Sequence, residues 1–299
     1  MKIRNVAHRG LWDETVPQNT LEAFRRAWDA GATWVETDFH HTRAGQMLCI
    51  HAEGELRRYT GCEKQIADLS PDEVAALRLD PVRFAHSEPA HSRSEPAHSC
   101  SDPAHSRSEP AHSRSEPAHS RSVPAHSCAG FRIPFLDEVL ATVPPHGTLQ
   151  AEIKGYSPRY ADLFDAAVRA AGLTEDNVVV SSFQRDALAD FHARKPSYRT
   201  LLLVGVPKDR ETDVFAAIAA AKAAGFDFFC PGLTPGDRPL TPDERAAVRD
   251  AGLGFRVYGV NSPEALAEAA RLGAAAFTCN YWRQAFDWAR DLGGIELLA

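Results

Sequence analysis

Short runs of β-branched and aromatic residues alternate along this chain with longer segments whose apolar positions recur at helical spacing. Eight such runs predict strands: IRNVAH (3–8), WVETDF (34–39), TLQAEIK (148–154), NVVVSSF (177–183), TLLLVG (200–205), DFFCPG (227–232), GFRVYGV (254–260) and AAFTCN (275–280). Between them, NTLEAFRRAWDAG offers Asn19 or Thr20 as an N-cap and Gly31 as a terminator, while TPDERAAVRDAG stops at Gly252. Regular alternation of strand and helix implies a parallel sheet, and eight repeats favour closure into a barrel over an open sheet. MLCIHA (47–52) adds an extra strand beside the barrel mouth. No GxGxxG or GxxxxGK[ST] loop follows the first strand, which weakens a nucleotide-binding reading.

One stretch breaks the alternation. From Pro89 to Gly130 the chain repeats PAHSRSE with a period of seven, and seven of the thirteen histidines fall between His86 and His126. A coiled coil needs two apolar seam positions in seven, but alanine is the only aliphatic residue of the PAHSRSE unit and each unit carries a helix-breaking proline. Such a segment cannot bury enough surface to offset its ordering entropy, so 86–130 is expected to be an extended, mobile insert that carries no chemistry. Setting the 42 repeat residues aside leaves 257 of the 299, close to the ~250 of a TIM (β/α)8 barrel. The expectation is a single domain over 1–299, interrupted between the second and third barrel strands.

Composition narrows the partners. Acidic and basic residues are interspersed and the net charge is −7, whereas nucleic-acid binding needs a basic face that displaces counterions. A small molecule is the expected partner. Six cysteines are scattered without CxxC spacing, the N-terminus MKIRNVAHRGLW lacks a signal-like apolar core, and no apolar run approaches the ~18 residues that span a bilayer. A cytoplasmic protein without stable membrane insertion is expected; the oligomeric state is left open.

Reacting groups of such a barrel sit at the C-terminal ends of its strands. Glu36 and Asp38, two apart in a strand, project to one face, and Glu152 repeats the geometry on the next barrel strand. A lone E-x-D is more simply read as a solvated outer face. Three acids converging at one mouth are instead an oxygen-ligand set suited to Mg²⁺ or Ca²⁺. His8 and His51, near the same acids, suit division into general base and general acid, with an ordinary pKa near ~6.5. Arg9 and Lys154 add fixed positive charge that suits a phosphate. His40, His41, His146 and His192 are read as surface residues. Phe183 and Trp282 are candidate pocket residues, with packing on the barrel as the competing reading, and Tyr281 stands with them.

These residues carry a pattern. AHRG, then PQNTLEAFRRAWDAGATWVETDFHHTRAGQMLCIHAEGEL, then AEIKG resembles the glycerophosphodiester phosphodiesterase family, in which HRG, PENT, E-x-D, H-D and E-x-K recur in this order on a TIM barrel. SSF (181–183) and VYGVN (257–261) are similar to its later-strand motifs. The resemblance implies that Glu36, Asp38 and Glu152 bind a divalent metal, that His8 and His51 are the acid–base pair, and that Arg9 and Lys154 contact phosphate. It also implies hydrolysis of a glycerophosphodiester to glycerol phosphate and an alcohol. One histidine would activate the glycerol 2-hydroxyl and the other protonate the leaving alcohol, with water then opening the cyclic intermediate. Three positions depart from the pattern. Gln18 stands in place of the PENT glutamate, Ala52 in place of the aspartate after His51, with Glu53 as a substitute in a loop one residue longer, and Asn280 in place of a strand-end aspartate. Alternatives are a lysophospholipase D or sphingomyelinase D-like activity, and a catalytically weakened barrel that acts as a binding protein.

Overall fold

The computed structural model describes residues 1–80, 130–157 and 159–299; the insert expected over 86–130 lies outside them except for Gly130. Eight parallel strands close a ring: β1 (Lys2–His8), β2 (Trp34–His41), β4 (Thr148–Ile153), β5 (Val178–Ser182), β6 (Arg199–Val204), β7 (Phe228–Pro231), β8 (Gly254–Val257) and β9 (Ala276–Cys279), with β1 pairing both β9 and β2. This is the TIM (β/α)8 barrel.

Two strands lie outside the ring. Met47–Cys49 (β3) runs antiparallel to the end of β2, and Glu296–Leu298 (β10) runs parallel to β1. The first is shorter than expected, because the Cys49 amide turns to the Pro134 carbonyl (2.9 Å) and the chain leaves toward a helix. His51 therefore sits in a turn rather than at a strand end. The second went unpredicted, since three residues after a Gly-Gly pair carry no readable period.

Side-chain alternation sorts the barrel into two environments. Val35, Phe39, Leu149 and Val180 point outward into the main core, where they meet Phe24, Phe164, Leu188 and Phe191 of the surrounding helices. Inside, Val179, Leu201, Leu203 and Cys230 cluster with Trp34, Phe228 and Tyr258. Buried Arg256 lies over Trp34 at 4.5 Å and Phe228 at 5.4 Å. The polar inward positions of β2 and β4 fall at the other end, toward the mouth.

The helices begin as their sequences direct. In α1 (Leu21–Asp29) Thr20 is the cap, its hydroxyl accepting the Ala23 amide (3.2 Å). Further along come α2 (Glu53–Thr60), α3 (Pro71–Ala76), α4 (Leu136–Leu140), α5 (Tyr160–Ala170), α6 (Arg185–Arg194), α7 (Val214–Ala223), α8 (Pro242–Asp250), α9 (Pro263–Leu272) and α10 (Trp282–Leu292). Leu48, Ile50, Leu56, Tyr59, Ile66, Val74 and Ile133 form a second small core where α2 and α3 meet β3. At its margin Leu79 and Phe131 pair antiparallel, so the chain leaves for the repeat region and returns from it at adjacent points. No helix among the described residues is long and apolar enough to cross a membrane, and the four described cysteines are free.

Candidate active site

Strand register assembles the acids. Pairing of β1 with β2 sets His8 opposite Glu36, and pairing of β2 with β4 sets Asp38 opposite Glu152. All three carboxylates are buried, and one oxygen from each lies within 4.8 Å of the others.

The turn after β1 brings a guanidinium over them. Arg9 (φ 58°) and Gly10 (φ 84°) both take left-handed backbone, sparsely allowed for a side chain such as arginine; at Gly10 a Cβ would lie 2.6 Å from the Ala23 backbone. The fold thus makes glycine necessary after Arg9. The Arg9 amide donates to the Glu36 carbonyl (2.9 Å), and its Nε lies 2.9 Å from Asp38 Oδ2. Asn19, the other left-handed residue (φ 55°), is not a cap. Its Nδ2 donates to Asp38 Oδ2 (2.9 Å) while its Oδ1 accepts from Thr37 (3.0 Å).

Charge is distributed unevenly over the acids. Asp38 holds both cations, Arg9 and Lys154 Nζ (3.2 Å), and although burial pushes its carboxyl up, these two charges hold it well below the usual range. Lys154 also contacts Glu152 (2.8 Å). Glu36 has no such cation: burial first, then the charges of Asp38 and Glu152, push it well above its ordinary value. Glu152 is pushed up as well, chiefly by burial, against the pull of Lys154. Asp38 Oδ1 makes no hydrogen bond, although Lys154 Nζ lies 3.2 Å away as an ion pair. Three hard oxygen donors buried together, two of them with pKa pushed up chiefly by burial and one with an oxygen lacking a hydrogen bond, are what a divalent cation would satisfy, so the three fit one. Arg9 and Lys154 are themselves committed to the acids.

The histidines are held differently. His8 Nδ1 meets Asn280 Oδ1, whose amide orientation follows from this contact, and Nε2 faces Glu36 Oε2 at 3.6 Å. Burial and the neighbouring Arg9 charge lower its pKa to about 3 against Asp38 and Asn280. With Asn280 Oδ1 as the acceptor, the proton sits on Nδ1 and the lone pair on Nε2. The Asn280 backbone N–H donates in turn to Asn261 Oδ1 (2.8 Å).

His51 is met by a residue that sequence reasoning missed. Glu55, in the first turn of α2, places Oε1 3.4 Å from His51 Nδ1 and Oε2 3.3 Å from the His51 amide. The same Oε1 accepts Arg9 Nη1 (3.3 Å) and Gln18 Nε2 (2.9 Å). Glu53, the expected substitute for the missing aspartate, instead accepts the Ile66 amide at 3.0 and 2.9 Å. An acid four residues after His51, at the start of a helix, was the available signal.

Other expectations need revision. His40 is not a surface residue: it is half-buried, donates from Nε2 to the His51 carbonyl (3.0 Å), and burial lowers its pKa to about 4. His41 lies against Tyr160 with both ring nitrogens buried. His192 is half-buried beside Phe226, whereas His146 is exposed. Trp282 is occupied by packing. It is buried against Phe286, and its indole N–H donates to the Asn5 carbonyl (3.1 Å). Phe183 is 40% exposed beside Lys154, edge-on to Tyr258 at 5.4 Å.

A sequence model of the Glycerophosphoryl diester phosphodiesterase family matches residues 8–283. YqiK, an uncharacterized protein of Bacillus subtilis, is 25% identical over 272 residues, 90% of each chain. A glycerophosphodiester phosphodiesterase of Bacillus altitudinis is 26% identical over 201 residues, 66% of this chain and 64% of that one. Among solved structures, an Oleispira antarctica phosphodiesterase in complex with the product sn-glycerol-3-phosphate superposes with a TM-score of 0.69 at 16% identity, covering 95% of this chain and 96% of that one. The Thermotoga maritima glycerophosphodiester phosphodiesterase gives 0.64 at 17% identity, with 96% and 98% covered.

Proposed function

The chain belongs to the glycerophosphoryl diester phosphodiesterase family, an enzyme class that hydrolyses glycerophosphodiesters, and on that premise we propose that His8 and His51 divide proton transfer at a mouth where Glu36, Asp38 and Glu152 hold Mg²⁺ or Ca²⁺. The observation that carries the division is the pairing of His8 Nδ1 with Asn280, which leaves Nε2 free to accept a proton beside Glu36. His8 is the base and His51 the acid.

In this reading His8 Nε2 takes the proton of the glycerol 2-hydroxyl. That oxygen bonds to phosphorus as the bond to the leaving alcohol breaks, and His51 Nε2 gives its proton to the departing oxygen. Water then opens the cyclic ester with the proton movements reversed, which regenerates both rings and leaves glycerol phosphate. A divalent cation bound by the three carboxylates supplies Lewis-acid polarisation of the phosphoryl oxygens. Arg9 and Lys154, ordered by Asp38, present fixed positive charge on the same side. The glycerol phosphate held by the Oleispira antarctica neighbour supports this substrate class. We further propose one catalytic domain over 1–299, with the repeat as an insertion.

Glycerol phosphate release from glycerophosphocholine and glycerophosphoethanolamine, with and without chelator, tests the reading in wild type, His8→Ala and His51→Ala. Loss of turnover in both variants and on chelation is expected. Release indifferent to chelator and to either histidine would sink the mechanism.

A further inference from the structure

We propose that Glu55 is the positioning residue of the acid histidine, and that the Gln18 amide beside it keeps Glu55 the single carboxylate at this corner of the site. The inference rests on the acid role of His51 in the reading above.

Glu55 has a peculiar origin. Helix α2 starts after Ala52, which has no side chain able to cap it. Glu55 stands third in the helix, where a glutamate commonly folds back onto the amide ahead of the helix, and the positive end of the helix dipole favours its charge. It reaches back to the His51 amide, and in doing so sets its other oxygen at Nδ1 of the same ring. Backbone and ring are therefore fixed by one side chain. Nδ1 faces a carboxylate oxygen at 3.4 Å, a contact that favours a proton on Nδ1 and so leaves Nε2 as the nitrogen that passes its proton to the leaving group. The arrangement follows the orienting logic of a carboxylate behind a catalytic imidazole.

Gln18 explains why a single acid suffices. Its Nε2 lies 2.9 Å from the very oxygen that receives Arg9 and faces His51. A glutamate at 18, as in the motif this segment resembles, would set two carboxylates at that distance, and like charges so close would force a proton onto one of them. With an amide at 18 and alanine at 52, the one acid comes from position 55 and serves Arg9 and His51 together. Glu55 is only 12% exposed, and despite its burial the His51 contact and the Arg9 charge hold its carboxyl below the usual range.

The test exploits the leaving group. A choline ester needs its leaving oxygen protonated, whereas glycerol 3-(p-nitrophenyl) phosphate releases a stable phenolate that does not. Glu55→Gln is expected to lower kcat on glycerophosphocholine by about 10²-fold, within the range of general-acid effects, with little change in KM. On the nitrophenyl ester, kcat should fall less than about threefold, because the phenolate leaves without its proton. Glu55→Asp should recover part of the choline-ester rate. The double variant Gln18→Glu/Glu55→Gln moves the carboxylate to position 18, without the reach from the helix start that ties Glu55 to the His51 amide. It should regain thermal stability and keep the leaving-group selectivity, and it carries the test if Glu55→Gln alone does not fold. Equal losses on both esters would reduce Glu55 to a structural ion pair and overturn the inference. Selective loss in His51→Ala without it in Glu55→Gln would overturn the positioning role while the proposed acid stands; no selectivity in His51→Ala would overturn the acid assignment itself.

Discussion

Two carboxylates two residues apart on β2 are expected to respond to neutralisation in opposite ways. Asp38 is fully buried and holds Arg9, itself 11% exposed, at 2.9 Å and Lys154, 15% exposed, at 3.2 Å. Removing one member of a buried ion pair costs about 3–5 kcal/mol because the other charge is stranded. After Asp38→Asn, Arg9 retains Glu55 and Lys154 retains Glu152, so the loss should fall at the lower end, about 3 kcal/mol. Glu36 is the reverse case. Burial and its two acidic neighbours push its carboxyl up, so its ionisation opposes folding of the metal-free protein; the penalty is full above the raised value and fades as pH falls from there to the ordinary glutamate pKa. Glu36→Gln should therefore leave the metal-free protein as stable as wild type or more so. Urea unfolding at pH 7 in chelator, followed by far-UV circular dichroism, reads both differences. Repeating it with Mg²⁺ or Ca²⁺ should stabilise wild type, by about 2.7 kcal/mol at a hundred times Kd, and both variants should lose that gain. If Glu36→Gln loses as much stability in chelator as Asp38→Asn, the uneven charge balance drawn for this cluster is wrong.

Four other outcomes follow from particular contacts. Phe183→Ala should raise KM several-fold and leave kcat nearly unchanged, since the exposed ring beside Lys154 contributes about 0.5–1 kcal/mol of contact; steady-state kinetics check it, and an unchanged KM removes Phe183 from the mouth. Arg256→Met should hold or raise the melting temperature, because a buried guanidinium with an unbonded Nη1, its pKa lowered to about 10 by burial, costs more to desolvate than a thioether of similar length; a marked drop would show that its stacking on Trp34 outweighs that cost. Glu244 receives both Arg238 nitrogens (2.8 and 2.7 Å), and these bonds hold its carboxyl low against burial. Its stabilisation is full above the ordinary glutamate pKa and is lost as pH falls through the folded value, so Glu244→Gln should flatten that acid limb. At pH 7 it should cost about 1–2 kcal/mol, a figure trimmed because Arg238 is 36% exposed; an unaltered acid limb would assign the pH dependence elsewhere. Replacing residues 86–129 with a short Gly/Ser linker should preserve the circular dichroism spectrum and turnover, because Leu79 and Phe131 already pair at its base and loop closure changes by only about 0.6 kcal/mol per doubling of length; loss of fold would make the insertion structural.

The barrel and its three acids were legible because both rest on short periods. A strand places i and i+2 on one face, so Glu36, Asp38 and Glu152 announce themselves once their strands are drawn, and register does the rest by setting Asp38 opposite Glu152. Where reading failed, the cause was a long-range partner. His40 looked like a residue past a strand, yet β3 pairs His40 with Leu48 and His41 with Met47, which extends β2 by two residues. Asn19 looked like a helix cap because asparagine favours that position, but Thr20 caps and Asn19 turns left-handed toward Asp38.

Glu55 shows most clearly what one-dimensional reading leaves out. From the sequence, Gln18 and Ala52 are two separate losses of acid at a site that depends on charge, and they suggest a weakened catalyst. In the fold, the positions converge: Gln18, Arg9 and His51 all meet the same carboxylate, delivered from the first turn of α2, two residues beyond the expected Glu53. A site of this kind is constrained by its electrostatic sum and by the direction of each imidazole; His8 and His51 each face a polar partner at Nδ1.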